Sequence, residues 1–272
     1  MKYIIIINVF FLLFLACTPD FGINKKNIKP PSSKKALTPK TEIDSKKEEN
    51  LPIKEALKPS TEVDPKQEED PDKKIKNTLL NSLRSLIEVA NAHKEKYKKV
   101  MEEEPDDQYG MDFKSMKWSS GDPEPISGNS KKAKMYRRHT YTLLSAIDTK
   151  DLKEFSDMLQ LADFKVDTFN IFGSIGYVLD IVTDHLYPKK DTLDKLSTSD
   201  LEKLKQSLEK ILSIIKIVSE ESKQLLLDYQ SDKNSIKTDV TKLTLHLNTL
   251  NSQTREKVTE AENLQNVILS IH

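Results

Sequence analysis

Cys17 is the side chain whose type and position together define a chemistry in this sequence. It is the only cysteine, so the chain can form no internal disulfide. Lys2 and then an apolar run, Tyr3 to Leu15, precede it, with Asn8 the only strongly polar residue of that run. The run is too short to span a bilayer comfortably and leads into the small Ala16, which is the pattern of a secretory signal. In a bacterial export signal, a cysteine at this junction accepts diacylglycerol, and cleavage before it leaves a lipidated N-terminus. Several acyl chains on one residue make attachment stable where one chain would be marginal. The box Phe14-Leu15-Ala16-Cys17 departs from the commonest Leu-Ala/Ser-Gly/Ala-Cys form. The plainer alternative is an ordinary signal peptide with an incidental cysteine. Residues 1–16 are therefore expected to be a lipoprotein signal peptide and Cys17 the lipidation site.

The remaining chemistry-bearing residues form no recognisable constellation. His93, His139, His185, His246 and His272 have no carboxylate three or four residues on to frame a metal site. No glycine-rich phosphate loop follows a strand, and no serine sits in a sharp-turn nucleophile motif. Abundant acidic residues read as a solvated face. Arg137-Arg138, beside Tyr136 and Tyr141, reads either as an acceptor for an acidic patch or as ordinary helix surface. No catalytic residue, metal or cofactor is expected. The chain has 43 basic and 43 acidic side chains, and removing residues 1–16 takes away Lys2, leaving 42 against 43. That balance supplies no net field for nucleic acid, so none is expected as a ligand.

Composition sets what must position these groups. Only six glycines, with 32% charged residues and abundant Lys, Glu, Leu and Ile, favour helices over sheets. Residues 17–74 read as a lipidated, disordered tether: the stretch from Thr18 holds eight of the twelve prolines and a single aromatic, Phe21. Ala36–Asp44 recurs twenty residues later as Ala56–Asp64, a duplication too short for a solenoid unit that simply lengthens the tether. As a coil it holds the remainder roughly 40 Å from the lipid.

Residues 75–272 read as the folded domain. Ile75, Leu79, Leu83, Leu86, Ala90, His93, Tyr97 and Val100 give one amphipathic helix to about Glu104. A Pro- and Gly-rich loop over 105–129 follows, with Trp118, Phe113 and Met111 tucked onto the helices. Ser130 caps a helix to about Ile147 whose inner face is Met135, Tyr136, Thr140, Leu143, Leu144 and Ile147. A short helix from Asp148 or Thr149 comes next. Then Asp167 opens the most apolar helix, expected to be central and to end at Pro188. Gly173 and Gly176 in it predict close approach of a neighbour. Ser199 with Glu202 forms a capping box for a helix to about Tyr229.

The last helix, from near Asp232 to Ile271, carries an a/d rhythm through Ile236, Val240, Leu243, Leu247 and Leu250. After the polar Thr254 it resumes at Val258, Ala261, Leu264, Ile268 and Ile271. This seam either packs on its own domain or projects into a partner subunit as a homodimer. The fold class is all-α, a bundle of six to seven helices with a long C-terminal helix.

Several segments also resemble a known family. The box before Cys17 is similar to the relaxed form used by spirochaetes. Lys134-Met135-Tyr136-Arg137-Arg138-His139-Thr140-Tyr141-Thr142-Leu143-Leu144, Leu186-Tyr187-Pro188-Lys189-Lys190-Asp191 and Leu225–Asn234 resemble the paralogous outer-surface lipoproteins of Lyme-disease spirochaetes, the family that includes the complement-regulator-acquiring protein CspA. That resemblance implies a helical domain of about seven helices, lipid-anchored on the outer membrane and exposed at the surface. It further implies a host serum protein as partner, with factor H, terminal complement components and plasminogen each bound by some members. A dimer through the C-terminal helix belongs to the same implication. Two readings of function follow: a module that binds a host protein for immune evasion, or an antigenic coat protein with no dedicated ligand. A periplasmic scaffold is a remoter third.

Overall fold

The structure is a computed structural model that describes residues 70–116 and 124–271; Cys17, the signal, the tether up to residue 69 and Trp118 lie outside the described residues. Within them the sequence builds six α-helices and no strand. They are α1 (Pro71–Glu102), α2 (Lys131–Leu143), α3 (Leu152–Leu161), α4 (Lys165–Leu186), α5 (Thr198–Gln230) and α6 (Val240–Leu269). Short 3₁₀ turns link them, the longest being Tyr187–Lys195, which carries the chain past Pro188 after α4 has ended. The predicted all-α bundle with a long C-terminal helix is the fold observed.

Four of the six helices, α1, α2, α5 and α6, begin where a side chain satisfies an orphan N–H group. Asp70 caps α1 by accepting from the Asp72 N–H at 3.1 Å, and Pro71, which has no N–H to satisfy, occupies N1. The helix therefore starts four residues before Ile75, whose side chain is 52% exposed and not on the inner face as its spacing suggests. The buried stripe of α1 is Leu80, Leu83, Ile87, Ala90 and Tyr97.

At α5 the cap is Ser197, accepting from Asp200 N–H at 3.1 Å, and not Ser199 with Glu202. The sequence Leu196-Ser197-Thr198-Ser199-Asp200-Leu201-Glu202 contains two overlapping capping frames. Only the Ser197 frame puts the half-buried Leu196 at N′ and the fully buried Leu201 at N4, the two positions of a hydrophobic staple.

α4 is the centre of the packing. Phe169, Phe172, Ile175, Val178, Leu179, Val182 and Leu186 are all buried, and the helix contacts α1, α2, α5 and α6. A Cβ on Gly176 would stand 2.6 Å from the His139 carbonyl oxygen, so α2 crosses α4 at a distance only glycine permits. At Gly173 an added Cβ would meet the Tyr136 ring at an ordinary 3.4 Å.

The last helix differs most from expectation at its start. Asp232, Asn234 and Ser235 have left-handed backbones, and the Asp232 carboxylate accepts from the Lys237 and Thr238 N–H groups. That turn cannot be helical, so α6 begins only at Val240, capped by Asp239. Ile236 is buried in the preceding turn and is off the helix.

Candidate functional site

The residues of α2 (Lys131–Leu143) organise the polar chemistry of the domain. Arg137 is the most unexpected of them: it is fully buried, not surface. Its Nε donates to both oxygens of Glu104 at 2.9 and 3.1 Å, and one Nη donates to Glu104 Oε2 at 2.6 Å. The other Nη donates to the carbonyls of Ile126 and Gly128 at 2.6 and 2.8 Å. The Tyr141 hydroxyl adds a bond to Glu104 at 2.7 Å, and burial first, then the Glu104 charge, pushes its ionisation well above the ordinary range. One guanidinium thus ties both ends of the 105–129 loop to the helix. Sequence reading missed it because a charged side chain was assigned to solvent. The signal was present, since Arg137 lies in the buried row Ala133, Arg137, Tyr141 and Leu144 at helical spacing. The predicted inner face is displaced accordingly, with Met135 and Tyr136 only half-buried.

His139 is also buried. Its Nε2 donates to Asp180 Oδ2 on α4 at 2.6 Å, and Arg138 shares the same carboxylate. Burial alone would raise the Asp180 ionisation, but the His139 hydrogen bond and the charges of His139, Arg138 and Lys94 outweigh it and hold the carboxyl below its usual range. Lys94 itself pairs with Asp184 one turn further along α4. His and Asp are the residue types of an acid–base dyad, yet the Asp180 carboxylate is already shared between His139 and the Arg138 guanidinium, and the group reads as a buried polar cluster that docks α2 and α1 on α4. Among the described residues no group of three or more His, Cys, Asp or Glu side chains could hold a metal ion.

Two grooves flank α2. The first, about 700 Å³, opens between the end of α1 and the start of α2, with Met101 and Met135 on its walls and Lys98, Lys131, Lys134 and Arg138 about them. The second, about 370 Å³, lies between α2 and α4 and is lined by Met135, Tyr136, Asn170 and Tyr177. Met135 belongs to both.

The predicted seam divides on inspection. Leu243, Leu247, Leu250, Ala261 and Ile268 are buried within the domain, where α6 packs on α4 and α5. Val258 and Leu264 are half-buried against the same core. Val240, by contrast, is 46% exposed at the first position of the helix, because the Asp239 cap fixes the start there. Thr254 does not interrupt the row: it is fully buried at a heptad position with Leu247, Ala261 and Ile268, its hydroxyl donating to the Leu250 carbonyl at 2.7 Å. No helix among the described residues is long and apolar enough to cross a membrane.

A strand-free domain with an apolar central helix, and a long last helix folded against it, defines the structural class. The chain belongs to the family described as Borrelia Bbcrasp-1 domain containing protein, whose model matches residues 98–272. All three segments that carried the family resemblance fall within that match. The crystal structure of BSE31 from Borrelia spielmanii is 48% identical, with a TM-score of 0.71, and the similarity covers 72% of this chain and 100% of that one. The outer surface lipoprotein BBA64 of Borrelia burgdorferi (20% identity, TM-score 0.56, 75% and 100% covered) shares the fold. So does its Borrelia spielmanii orthologue BSA64 (18%, 0.59, 74% and 97%). A comparison with curated proteins gave no match.

Proposed function

We propose that this protein is an outer-surface lipoprotein, anchored by acyl chains on Cys17, that holds its helical domain away from the membrane to bind a host protein. The observation that carries this reading is the sole cysteine at the end of an export signal, followed by a proline- and charge-rich tether and then a domain of this family. A tether of that composition is useful where the partner is large and soluble, such as a complement or plasminogen-type serum factor. Relatives of the same fold are named outer surface lipoproteins, which supports the localisation. Residues 1–16 act as the signal, the stretch from Cys17 to the Asp70 cap as the tether, and the chain from Pro71 onward as the displayed domain, four residues earlier than its spacing suggests. No nucleic acid, metal, cofactor or catalysis enters this reading.

The inward face of α6 is occupied by the domain's own core, so a homodimer through this helix would have to use its outward side, where Leu245 is 60% and Val267 39% exposed. Light scattering on the full chain tests that: twice the chain mass supports the dimer and a single mass removes it.

Display is tested by protease treatment of intact cells, with Cys17→Ala as the control; loss of the protein from wild-type cells alone supports the reading, and protection of wild type refutes it. Pull-down from serum then separates a binding module from an antigenic coat. One dominant, saturable partner supports the first, and no partner supports the second.

A further inference from the structure

We infer that the ridge of α2 with its two flanking grooves is a docking site for an acidic, aromatic-containing peptide segment of a partner protein. The inference rests on the host-binding reading above and names the surface and the chemistry it would recognise.

Charge comes first. Lys131, Lys132 and Lys134 are exposed along the first turn of α2, a helix with no acidic residue in that turn. Cations there oppose the helix dipole, so they are not placed for the stability of α2. Among the described residues Lys131 and Lys134 have no ion pair. The other charges about the first groove are largely spoken for: Glu104 is held by Arg137, and Arg138 by Asp180. Lys98 pairs with Glu95, and Glu124 accepts from the Ser130 N–H at the start of α2; Glu102 is then the one carboxylate of the groove lining left against Lys131 and Lys134, which leaves the rim positive. The chain as a whole is neutral, so this excess is local.

Shape and polarity then select the ligand. A phosphate or a short carboxylate would use the lysines but leave the thioethers of Met101 and Met135 unfilled. Met135 forms a shared wall, so a chain lying over the ridge can seat one side chain beside Met101 and another against the half-exposed Tyr177 and the ring of Tyr136. Methionine side chains adapt to aromatic rings and make favourable sulfur contacts with them. Alternating carboxylates on such a segment meet the lysines between the grooves. A polysaccharide anion would match the charge but has no aromatic group for either groove.

The backbone beneath is rigid where the ligand would rest. Arg137 pins α2 to the 105–129 loop, and the close crossing at Gly176 pins it to α4. The ridge is thus presented in one geometry, which lowers the ordering cost of binding.

The test uses the full chain and three fluorescent probes at physiological salt: a random Glu–Tyr copolymer, poly-glutamate of matched length, and a heparin fragment. The copolymer is expected to bind at least tenfold more tightly than poly-glutamate and more tightly than heparin. Lys131→Glu with Lys134→Glu should weaken the copolymer at least tenfold. Lys203→Glu with Lys210→Glu, exposed on α5, should leave it unchanged. Charge reversal at a helix N-terminus suits the dipole, so lost binding would not reflect lost folding, and an unchanged helical spectrum checks this. Equal binding of the two peptides, tighter binding of heparin, or an unaffected α2 variant overturns the inference.

Serum pull-down with wild type and the α2 variant separates the two claims. A variant that loses the copolymer yet captures the same serum protein refutes this docking site and leaves host binding standing. A wild type that binds the copolymer through the ridge but captures nothing from serum supports the site and refutes the host-binding reading.

Discussion

The α5–α6 pair and the α1–α2 end are both buried against α4, but by opposite means. On α5 and α6 the buried rows are mainly apolar and carry no charge, with Leu204, Leu208, Ile211, Ile215 and Val218 on one helix, Leu243, Leu247 and Ile268 on the other, and only neutral polar residues such as Ser219 and Thr254 among them. At the α1–α2 end the largest fully buried side chain is an arginine, and its partner Glu104 lies 33 residues away in sequence. The first region gains stability from area removed from water, which tolerates small errors in position. The second depends on complete pairing, since a buried charge without its partner is far worse than no charge at all. Packing holds one end and hydrogen-bond geometry sets the other.

The largest effect expected is at Arg137. Arg137→Met leaves the buried Glu104 carboxylate with the Tyr141 hydroxyl but no cation, leaves two carbonyls without the guanidinium, and should cost about 3–5 kcal/mol in denaturant unfolding. Adding Glu104→Gln to it should recover part of that loss, because the uncompensated charge is then gone. If Arg137→Met alone is neutral, the proposed contrast between the two ends fails. At the apolar end Leu247→Ala should cost about 2–5 kcal/mol by leaving a cavity, with no dependence on salt.

The two glycines of α4 sharpen the picture at its crossing with α2. Gly176→Ala should destabilise by about 1–3 kcal/mol, since its Cβ meets backbone that cannot yield. Gly173→Ala, meeting only an ordinary contact, should be neutral or stabilise by up to about 1 kcal/mol through helix propensity. Equal effects would mean that helix crossing does not govern these positions. On α5, Ser197→Ala should cost about 1 kcal/mol and Ser199→Ala only a few tenths, which thermal unfolding can rank.

The smallest expected effect is a pH dependence confined to the polar end. Burial first, and then the charge of Lys96, holds the His93 ionisation below its ordinary 6.5. The unfolded chain therefore takes up a proton that the folded one resists. The contribution of neutral His93 is complete above about pH 6.5 and is lost as pH falls below that value. Asp180 acts in a separate window: its depressed ionisation contributes stability above its ordinary 3.8, lost as the pH drops through the folded value. His93→Phe should flatten the stability curve just below neutrality and leave the acid limb in place. A curve unchanged in both windows would refute the assignment.

Much of the fold was legible because helices advertise themselves locally. The apolar rows of α4, α5 and α6 and the cap at Ser130 can each be read within a few residues. Expectation and structure part where a polar residue occupies a packed position or an apolar one lies off the stripe. Thr254 looked like a break in the heptad row, yet its hydroxyl is satisfied within its own helix. Ile75 looked like part of the stripe, yet the stripe runs through Leu80 and Leu83. At α5 two serines offered equivalent local frames, and the choice between them fell to the packing of Leu196 and Leu201.

By itself the sequence determined the helical class, the order of the helices, the apolar centre at α4 and the family, because period and composition are local properties that survive without coordinates. Only the tertiary structure decided that Arg137 and His139 are interior, that Val240 and Ile75 face outward, and that a lysine ridge stands between two grooves. The two buried residues depend on the partners Glu104 and Asp180, tens of residues distant, and only folding brings such groups together.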